Sequence, residues 1–318
     1  MKRHKQPFGS IALACAAVLL QLGCGHAATR SARHAAAAQH TGPADRATVA
    51  THSPTTLTYL GVAGWSLHSP HGTLLIDPQV TRGKFSNTDV IQSDQAAIAR
   101  FLPAQAQVVL VTHSHWDHLL DAPSVAARTG AVIVGTESTA NVARAHGLPD
   151  DHIAIGQPGK HLSLGAFDIQ VLAGVHSLIG MPNVPIPAGV KLPLAIGDYG
   201  EGNTLQYLVR TEGHQVLFIG SANFQDDALQ GLHPDVAVIA TGARQKVPDY
   251  ACRLMRLLGS PKQVYTNHFD AFQEPLQPGA MSLTPETQAD LDAFASEIHA
   301  CAPDTHVNVP VHLQPMPL

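Results

Sequence analysis

The pattern of hydrophobic and polar positions divides the chain into an apolar start, a polar stretch and a long region of alternating strand and helix patterns. Apolar residues at a period of two, or in short β-branched runs, predict strands, and a period of 3.6 predicts helices. The predicted strands are residues 56–60, 65–68, 73–77, 108–112, 131–134, 153–155, 161–164, 167–173, 205–211, 215–219, 236–240, 263–266 and 307–311. The predicted helices are residues 93–101, 123–128, 137–146, 248–258 and 285–299.

These elements form two strand-rich halves, each with helices after its opening strands. Sheets that are apolar on both faces need helices outside and a second sheet inside, so the order predicts an α/β fold, a four-layer αβ/βα sandwich. Residues 56–318 are expected to form this single domain, with a site at the edge where loops from both halves meet. Helix starts are expected at Ser93 or Asp94 and at Thr284, and Gly147 is expected to end a helix.

Residues 177–203 interrupt the pattern with a long irregular stretch that contains four prolines and five glycines. Prolines and glycines at this density exclude an ordinary helix or central strand. The stretch nevertheless carries many apolar side chains, and long loops of this kind are often functional. We expect an apolar lid over the site that holds an apolar part of a substrate. The alternative is a loop that covers the sheet or contacts another subunit.

The N-terminal residues have the charge order of a secretory signal peptide, predicted over residues 1–27. Lys2, Arg3 and Lys5 precede an apolar run, residues 8–20, that is too short for a comfortable membrane span. Residues 20–24 resemble a bacterial lipobox, which would make Cys24 a lipidated membrane anchor. An ordinary cleavage after residue 27 and a buried N-terminal helix are the alternatives. A flexible tether is expected over residues 28–55, so the protein is expected in the periplasm or as an envelope lipoprotein.

Composition limits the classes of binding partner and leaves open whether two cysteines form a disulfide. The 318-residue chain has a net charge of −5 and no basic run beyond its N-terminus, so no nucleic-acid partner is expected. The acidity does not exclude an anionic substrate, because bound cations would invert the local field. In an oxidising compartment Cys252 and Cys301 either pair or remain separate buried thiols.

The residues after the apolar strand 108–111 carry the strongest chemical signal in the chain. Three histidines and one aspartate lie in the loop Thr112-His113-Ser114-His115-Trp116-Asp117-His118. Imidazole and carboxylate ligands suit zinc, manganese or iron. Since alternate side chains of an extended segment point the same way, His113 and His115 can share one ion, while Asp117 and His118 can reach a second. The alternative is a His-rich surface loop in a chain with 20 histidines.

The motif His113-x-His115-x-Asp117-His118 after an apolar strand resembles that of the metallo-β-lactamase fold superfamily. The resemblance runs from about Thr56 to the C-terminus. Two upstream segments, residues 61–67 and 74–78, resemble the branch that holds L-ascorbate phosphate lactonase and the phospholipase D that cleaves N-acyl phosphatidylethanolamine.

The resemblance implies two metal ligand sets. His176 stands where the superfamily has its third histidine, and His268 matches its final one. The implied ligands are His113, His115 and His176 for the first ion, and Asp117, His118 and His268 for the second. Asp117 is also implied to move protons at the reacting water. Asp77, after its strand, is implied to support the metal loop from behind; the alternative is a simple turn aspartate.

The chain departs from the superfamily pattern at Ser221, where an aspartate usually bridges the two ions. A neutral hydroxyl is a poor bridging ligand beside a carboxylate. We therefore expect one tightly bound zinc and a second, weaker ion, with manganese or iron as alternative metals. Asp226 and Asp227 lie near enough in sequence to compensate, or they begin a helix.

The predicted function is a metal-dependent hydrolase that uses metal-activated water on an ester, lactone or phosphodiester, in a small-molecule or lipid-like substrate. One alternative is a metal-binding envelope protein with little or no turnover, for which Ser221 would mark a decayed site. The other is an iron-dependent oxidoreductase of the same fold. Metal content and oxygen uptake distinguish these three readings.

Overall fold

The protein is described from residue 54 to residue 318 by a computed structural model. Its strands follow the chain order β1 (Thr56–Gly61), β2 (Gly64–Ser69), β3 (Gly72–Ile76), β4 (Val108–Leu110), β5 (Val132–Gly135), β6 (Ile153–Ile155), β7 (His161–Leu164), β8 (Phe167–Ala173), β9 (Leu205–Thr211), β10 (His214–Ile219), β11 (Val236–Ala240), β12 (Gln263–Asn267), β13 (His306–Asn308) and β14 (Pro315–Pro317). Its helices are α1 (Gln95–Phe101), α2 (Trp116–Leu119), α3 (Ala122–Thr129), α4 (Glu137–Ala145), α5 (Asp226–Leu229), α6 (Tyr250–Leu258) and α7 (Pro285–Cys301).

The strands form two seven-stranded sheets of similar design. The first has the order β14-β1-β2-β3-β4-β5-β6 and the second the order β13-β12-β11-β10-β9-β8-β7. In each sheet the antiparallel strands that come first in the chain lead into parallel pairs, β3-β4-β5-β6 and β10-β11-β12-β13. Parallel neighbours require crossover connections, which α1, α3, α4, α6 and α7 help to supply.

Three apolar cores separate four layers. One core lies between the sheets and includes Trp65, Phe167 and Tyr207, all essentially inaccessible to solvent. A second core contains residues of α1, α3 and α4 together with residues of the first sheet. The third combines α6 and α7 with the second sheet. This arrangement of helix, sheet, sheet and helix confirms the predicted αβ/βα sandwich.

Helix ends follow their local chemistry. The Asp94 carboxylate accepts hydrogen bonds from the backbone N–H groups of Ala96 and Ala97, so the first helix starts at Gln95. Thr284 caps the last helix by accepting from the N–H of Thr287, with Pro285 as the first helical residue. The helix predicted over 248–258 starts at Tyr250, because the preceding Asp249 has a positive φ of 52°.

The C-terminal strands differ from the prediction. The strand expected over 307–311 is shorter and earlier, His306–Asn308, and the strand Pro315–Pro317 was not predicted. Its two prolines argue against a strand in sequence. They are tolerated because this strand pairs only with β1 at the edge of the first sheet, where not every N–H must bond.

The 177–203 stretch is irregular as expected, apart from a 3-10 turn at Ile196–Asp198. The later residues of this stretch pack into the core between the first sheet and its helices, through buried Ile186, Leu194, Ile196 and Tyr199. The earlier residues 178–184, here called the 178–184 segment, carry four apolar side chains that are about half exposed: Leu178, Ile179, Met181 and Val184. One part therefore covers the sheet, and the other presents apolar side chains beside the site described below.

The structure answers the question about the two cysteines, whereas the predicted N-terminal signal lies outside the described residues. Cys252 of α6 and Cys301 of α7 form a disulfide, so the alternative of separate thiols is wrong. The predicted signal peptide, the lipobox Cys24 and nearly all of the predicted tether lie outside the described residues. Within residues 54–318, no helix is long and apolar enough to cross a membrane.

Candidate metal centre

The loop after β4 carries the motif into the edge between the two sheets. β4 is fully buried, and the motif residues that follow, Thr112 to His115, are buried as well. Asp77, which follows β3, fixes this loop. Its Oδ1 accepts from the N–H of Thr112 (2.7 Å), and its Oδ2 accepts from the Thr112 hydroxyl (2.6 Å). Neighbouring parallel strands thus place a carboxylate directly behind the motif.

The first cluster consists of His113, His115 and His176. Each offers one ring nitrogen, and these three atoms lie within 4.8 Å of one another. His113 Nε2 and His115 Nδ1 are 3.1 Å apart. His176, which follows the end of β8, donates from Nδ1 to the Ser177 carbonyl oxygen (3.0 Å), which leaves its Nε2 free to act as a ligand.

The second cluster consists of Asp117, His118 and His268. Asp117 Oδ2 lies 3.3 Å from His268 Nε2 and 3.6 Å from His118 Nε2. The two histidine Nε2 atoms are 3.3 Å apart. His118 bonds through Nδ1 to Asp77 Oδ2 (2.8 Å), so its Nε2 faces the cluster. The same carboxylate that fixes the loop therefore also sets the orientation of this imidazole.

His268 reaches the second cluster from the opposite half of the fold, directly after β12. Its backbone has a positive φ of 54°, and its N–H donates to the Val62 carbonyl oxygen (2.8 Å) in the turn between β1 and β2. A positive φ is uncommon for histidine and costs free energy unless the surroundings hold it. The contact with the first sheet supplies that constraint and brings the ring to the motif.

The two clusters differ in protonation. Burial lowers the pKa of His113 well below its usual value, and the neighbouring histidines lower it further. Burial is also the main reason why the pKa values of His115 and His176 fall to about 4. The first cluster is therefore neutral at pH 7, which is the form in which imidazole binds metals.

In the second cluster, charge outweighs burial. Burial disfavours the charged form of Asp117, but His118 and His268 hold its pKa well below the usual range of a carboxyl group. Burial likewise disfavours the charged form of His118, and the carboxylates of Asp77 and Asp117 raise its pKa in spite of it. The carboxylate is thus ionised and ready to ligate a cation.

Both clusters fit a divalent cation. Among residues 54–318, His115 Nε2 is buried and has no hydrogen-bond partner, which is costly for a polar atom unless something else binds it. In the first cluster, His113 Nε2 and His115 Nδ1 are 3.1 Å apart, and in the second, ring nitrogens and a carboxylate oxygen lie 3.3 to 3.6 Å apart. Three convergent nitrogen and oxygen donors suit zinc and related transition metals.

Ser221 lies beside the clusters, in the wall of the cavity onto which they open. Its hydroxyl accepts from the N–H of Ser177 and is 2.9 Å from the Ser177 hydroxyl. It therefore connects the chain after β10 with the chain after His176. The nearby Asp226 pairs with Arg253 at 2.6 Å and belongs, with Asp227, to the first turn of α5. This supports the helix-start alternative for the two aspartates.

Sequence reasoning missed a second buried carboxylate, Asp270, which lies two residues after His268. Its Oδ1 accepts from the N–H of Val62 (2.7 Å) and the Tyr59 hydroxyl (3.1 Å). Its Oδ2 accepts from Arg82 (3.2 Å) and lies 2.9 Å from His312 Nε2. Only its place next to His268 in the sequence could have singled it out, because its partners come from three distant segments.

A cavity of about 480 Å³, here called the site cavity, opens onto both clusters. Beyond the six clustered residues, its walls are largely aromatic and aliphatic. Trp116 packs edge-on against Phe85 and Phe272, with ring centroids 5.8 and 5.7 Å apart. The site cavity is therefore a mostly apolar chamber with the polar clusters in one wall.

Comparison with known proteins decides the family. Residues 73–269, more than half of the chain, match the family model described as the beta-lactamase superfamily domain. The chain belongs to the metallo-β-lactamase superfamily. The resemblance drawn from the motif is thereby confirmed at the level of the superfamily.

Relatives within the superfamily indicate the class of activity. The chain is 30% identical over 232 residues to a UPF0173 metal-dependent hydrolase of an Anaeromyxobacter species, covering 70% of this chain and 77% of that one. It is 27% identical over 237 residues to a protein of the same name from Polynucleobacter asymbioticus, covering 72% and 78%. The prediction of a metal-dependent hydrolase of the metallo-β-lactamase superfamily is confirmed.

Solved structures agree on the fold. Igni18, a metallo hydrolase from the archaeon Ignicoccus hospitalis, superimposes with a TM-score of 0.57 over 84% of this chain and 99% of its own. At 18% sequence identity, this likeness concerns the fold alone.

All six residues singled out from the motif and the superfamily pattern fall into the two groups that the sequence analysis expected.

Proposed function

We propose that the protein hydrolyses an ester, lactone or phosphodiester in a small-molecule or lipid-like substrate, with zinc as its first metal. The observation that carries this proposal is the pair of three-residue clusters at 3 to 5 Å spacing that open onto one cavity. His113, His115 and His176 would hold one ion, and Asp117, His118 and His268 the other. A bound ion of this kind supplies water of lowered pKa and polarises the oxygen of the scissile bond.

The chain's own residues have three tasks in such a reaction. Asp77 holds the motif loop and the His118 ring in place through its bonds to Thr112 and His118. Asp117, whose carboxylate lines the cavity, would take a proton from the reacting water and pass it on. The aromatic and aliphatic walls exclude bulk water and hold the apolar part of the substrate.

The apolar loop contributes to those walls from two of its parts. Ile179 and Met181 of the 178–184 segment line the site cavity, as do Ile196 and Tyr199 from the buried part of the same loop. This supports the proposal that the loop covers the site as a lid. The buried residues would fix its base, while the half-exposed segment closes over a substrate.

Metal analysis of protein prepared without chelator, followed by a substrate screen, tests the function. Bound zinc, with hydrolysis of esters, lactones or phosphodiesters that is lost on chelation and restored by zinc, would support the proposal. Bound iron with oxygen uptake would support an oxidoreductase instead. Metal binding without turnover on any of the three substrate classes would favour the non-catalytic alternative.

We also propose that the protein is exported, either as a soluble periplasmic protein or as a lipoprotein anchored at Cys24. The order of basic and apolar residues at the N-terminus supports export. The Cys252–Cys301 disulfide fits an oxidising compartment. If Cys24 is lipidated, Cys24→Ser should move the protein from the membrane fraction to the soluble periplasm. A wild-type protein that is already soluble would contradict the anchor.

A further inference from the structure

The walls of the site cavity beyond the metal clusters are mostly apolar. Its non-ligand walls include Trp116, Phe272, Tyr199, Ile196, Ile179 and Met181. Among residues 54–318, no lysine or arginine side chain contributes to these walls. A negative group on a substrate would therefore find positive charge only at the metal clusters themselves.

A second cavity of about 820 Å³ shares the wall residues His176, Ser177 and Met181 with the first. Its walls are mainly apolar or neutral, and among residues 54–318 the ionisable side chains that line it, apart from His176, are the acids Glu137 and Glu201. Within the described part of the chain, no lysine or arginine lines this cavity either. A substrate group in either cavity would thus meet no cationic side chain of residues 54–318 in the walls.

The two cations of the loop after β11 are engaged elsewhere. The loop after β11, which contributes Gly242 and Ala243 to the site cavity, also carries Arg244 and Lys246. Arg244 is buried against Asp290 (2.6 Å) and Glu297 (3.2 Å) of α7. Lys246 donates from Nζ to the backbone carbonyl of Leu178 (2.8 Å). Both positive groups therefore hold structure together and contribute no atom to the cavity walls.

The charge of this lining determines which substrate groups the cavities favour. Transfer of an ionised group into an apolar cavity without a partner costs free energy that a neutral group of equal size avoids. Building on the proposed function, we propose that the substrate is a carboxylic ester or lactone whose groups beyond the reacting carbonyl are uncharged and apolar. A phosphorylated or distally carboxylated substrate would carry a charge with no partner.

The reaction is an ordinary hydrolysis. The oxygen of water bonds to the acyl carbon, the ester carbon–oxygen bond breaks, and the alkoxide leaving group takes one proton. The remaining proton leaves when the product acid ionises. The proposal concerns the substrate groups beyond the reacting carbonyl, because the carbonyl itself would lie at the metal clusters.

A matched pair of esters tests the rule on the full-length, zinc-loaded protein. p-Nitrophenyl pentanoate and the mono-p-nitrophenyl ester of glutaric acid have the same leaving group, and the terminal methyl of one is a carboxylate in the other. We expect kcat/KM to favour the pentanoate by about tenfold or more, since one desolvated charge separates the two substrates. Equal values for the two esters would overturn the proposal.

Charge introduced into the wall should reverse the preference. Met181 lines both cavities and is 52% exposed, so Met181→Lys can be accommodated without burying the new charge completely. This variant should raise kcat/KM for the glutarate ester about fivefold and lower it for the pentanoate. Val184→Lys is the matched control, because Val184 is 50% exposed on the same segment but lines neither cavity. An equal gain in both variants would overturn the assignment to the cavity wall.

Binding separates this proposal from the proposed function. The chain has two tryptophans; Trp65 is fully buried in the inter-sheet core, whereas Trp116 lines the site cavity. Octanamide should quench Trp116 fluorescence at concentrations about tenfold below those needed for the monoamide of octanedioic acid. Trp116→Phe should abolish the signal. If neither ester is cleaved, the proposed ester hydrolysis is wrong, but the two amides still test whether the cavities prefer uncharged groups. Equal quenching by both amides would overturn that preference.

Discussion

The two clusters of the metal centre share one loop but differ in charge and in how they are supported. The first has three imidazoles, kept neutral mainly by burial, and no carboxylate. The second contains the ionised Asp117, with Asp77 bonded behind its His118. The comparison shows two ways to prepare a cation site. One keeps neutral donors ready by excluding water, and the other balances charge with acids inside and behind the cluster.

The supports of the two clusters differ as well. In the first, His176 is oriented by a neighbouring backbone carbonyl, and His115 Nε2 has no hydrogen-bond partner in the described part of the chain. In the second, Asp77 orients His118, and Asp270 anchors the segment that carries His268. The second cluster therefore has a carboxylate bonded directly to one of its ligands, whereas Asp77 acts on the first cluster only through Thr112 and the motif loop.

Loss of a ligand from the first cluster should have the largest effect. His115→Ala removes one of the three imidazoles of the first cluster, so we expect one ion to be lost and kcat/KM to fall by about a hundredfold or more. Elemental analysis and activity on the same preparation measure both effects. His161→Ala, on the exposed β7, is the control and should change neither. Unchanged metal content in His115→Ala would show that the ligand assignment is wrong.

Removal of the acid behind the second cluster should have the next largest effect. Asp77→Asn keeps the shape, and asparagine tolerates the positive φ of 43° at this position. It weakens the charge balance of His118, so affinity for the second ion should fall by about 10- to 100-fold, with a smaller change at the first, whose loop Asp77 holds only through Thr112. Calorimetric titration of metal-free protein measures both. Asp168→Asn, an exposed carboxylate on β8, is the control. Equal weakening of both ions would argue against separate support.

A substitution at Ser221 should strengthen metal binding at the second cluster, whereas the two preceding variants should weaken metal binding. We expect wild-type protein to bind one ion tightly and one weakly, because no carboxylate bridges the two clusters. Ser221→Asp should tighten the second ion by about tenfold, since a nearby negative charge offsets repulsion between the cations. The same titration decides the question. Two equally tight ions in wild type, without a gain in the variant, would show that the bridging carboxylate is unnecessary.

The smallest expected effect on metal binding comes from Asp270. Asp270→Asn weakens the bonds to Arg82 and His312, and it acts on His268 only through the backbone. We expect affinity for the second ion to fall by less than about tenfold, together with lower thermal stability because Arg82 loses its buried counter-ion. Arg82→Gln is the companion variant and should give the same stability loss. A second-ion affinity identical to wild type would limit Asp270 to a purely structural role.

Much of the centre follows from local sequence. The buried strand before His113 and the spacing of the motif place its ligands at a strand end, because side-chain direction in such a segment is a local property. The positions of His176 and His268 followed from resemblance combined with strand prediction. The fold class followed from the order of strands and helices, because that order determines which layers can cover which apolar faces.

Other features depended on residues far apart in the chain. The edge strand Pro315–Pro317 forms because β1 offers it a free edge, which its own prolines would not suggest. The same applies to the division of the 177–203 loop into a buried base and an exposed segment, to the disulfide, and to the Asp270 network. The local sequence determined the ligand motif and the order of layers. Tertiary structure alone decided the protonation of the ligands and the absence of cations from both cavity walls in residues 54–318, because burial and charge depend on segments that meet only when the two halves pack together.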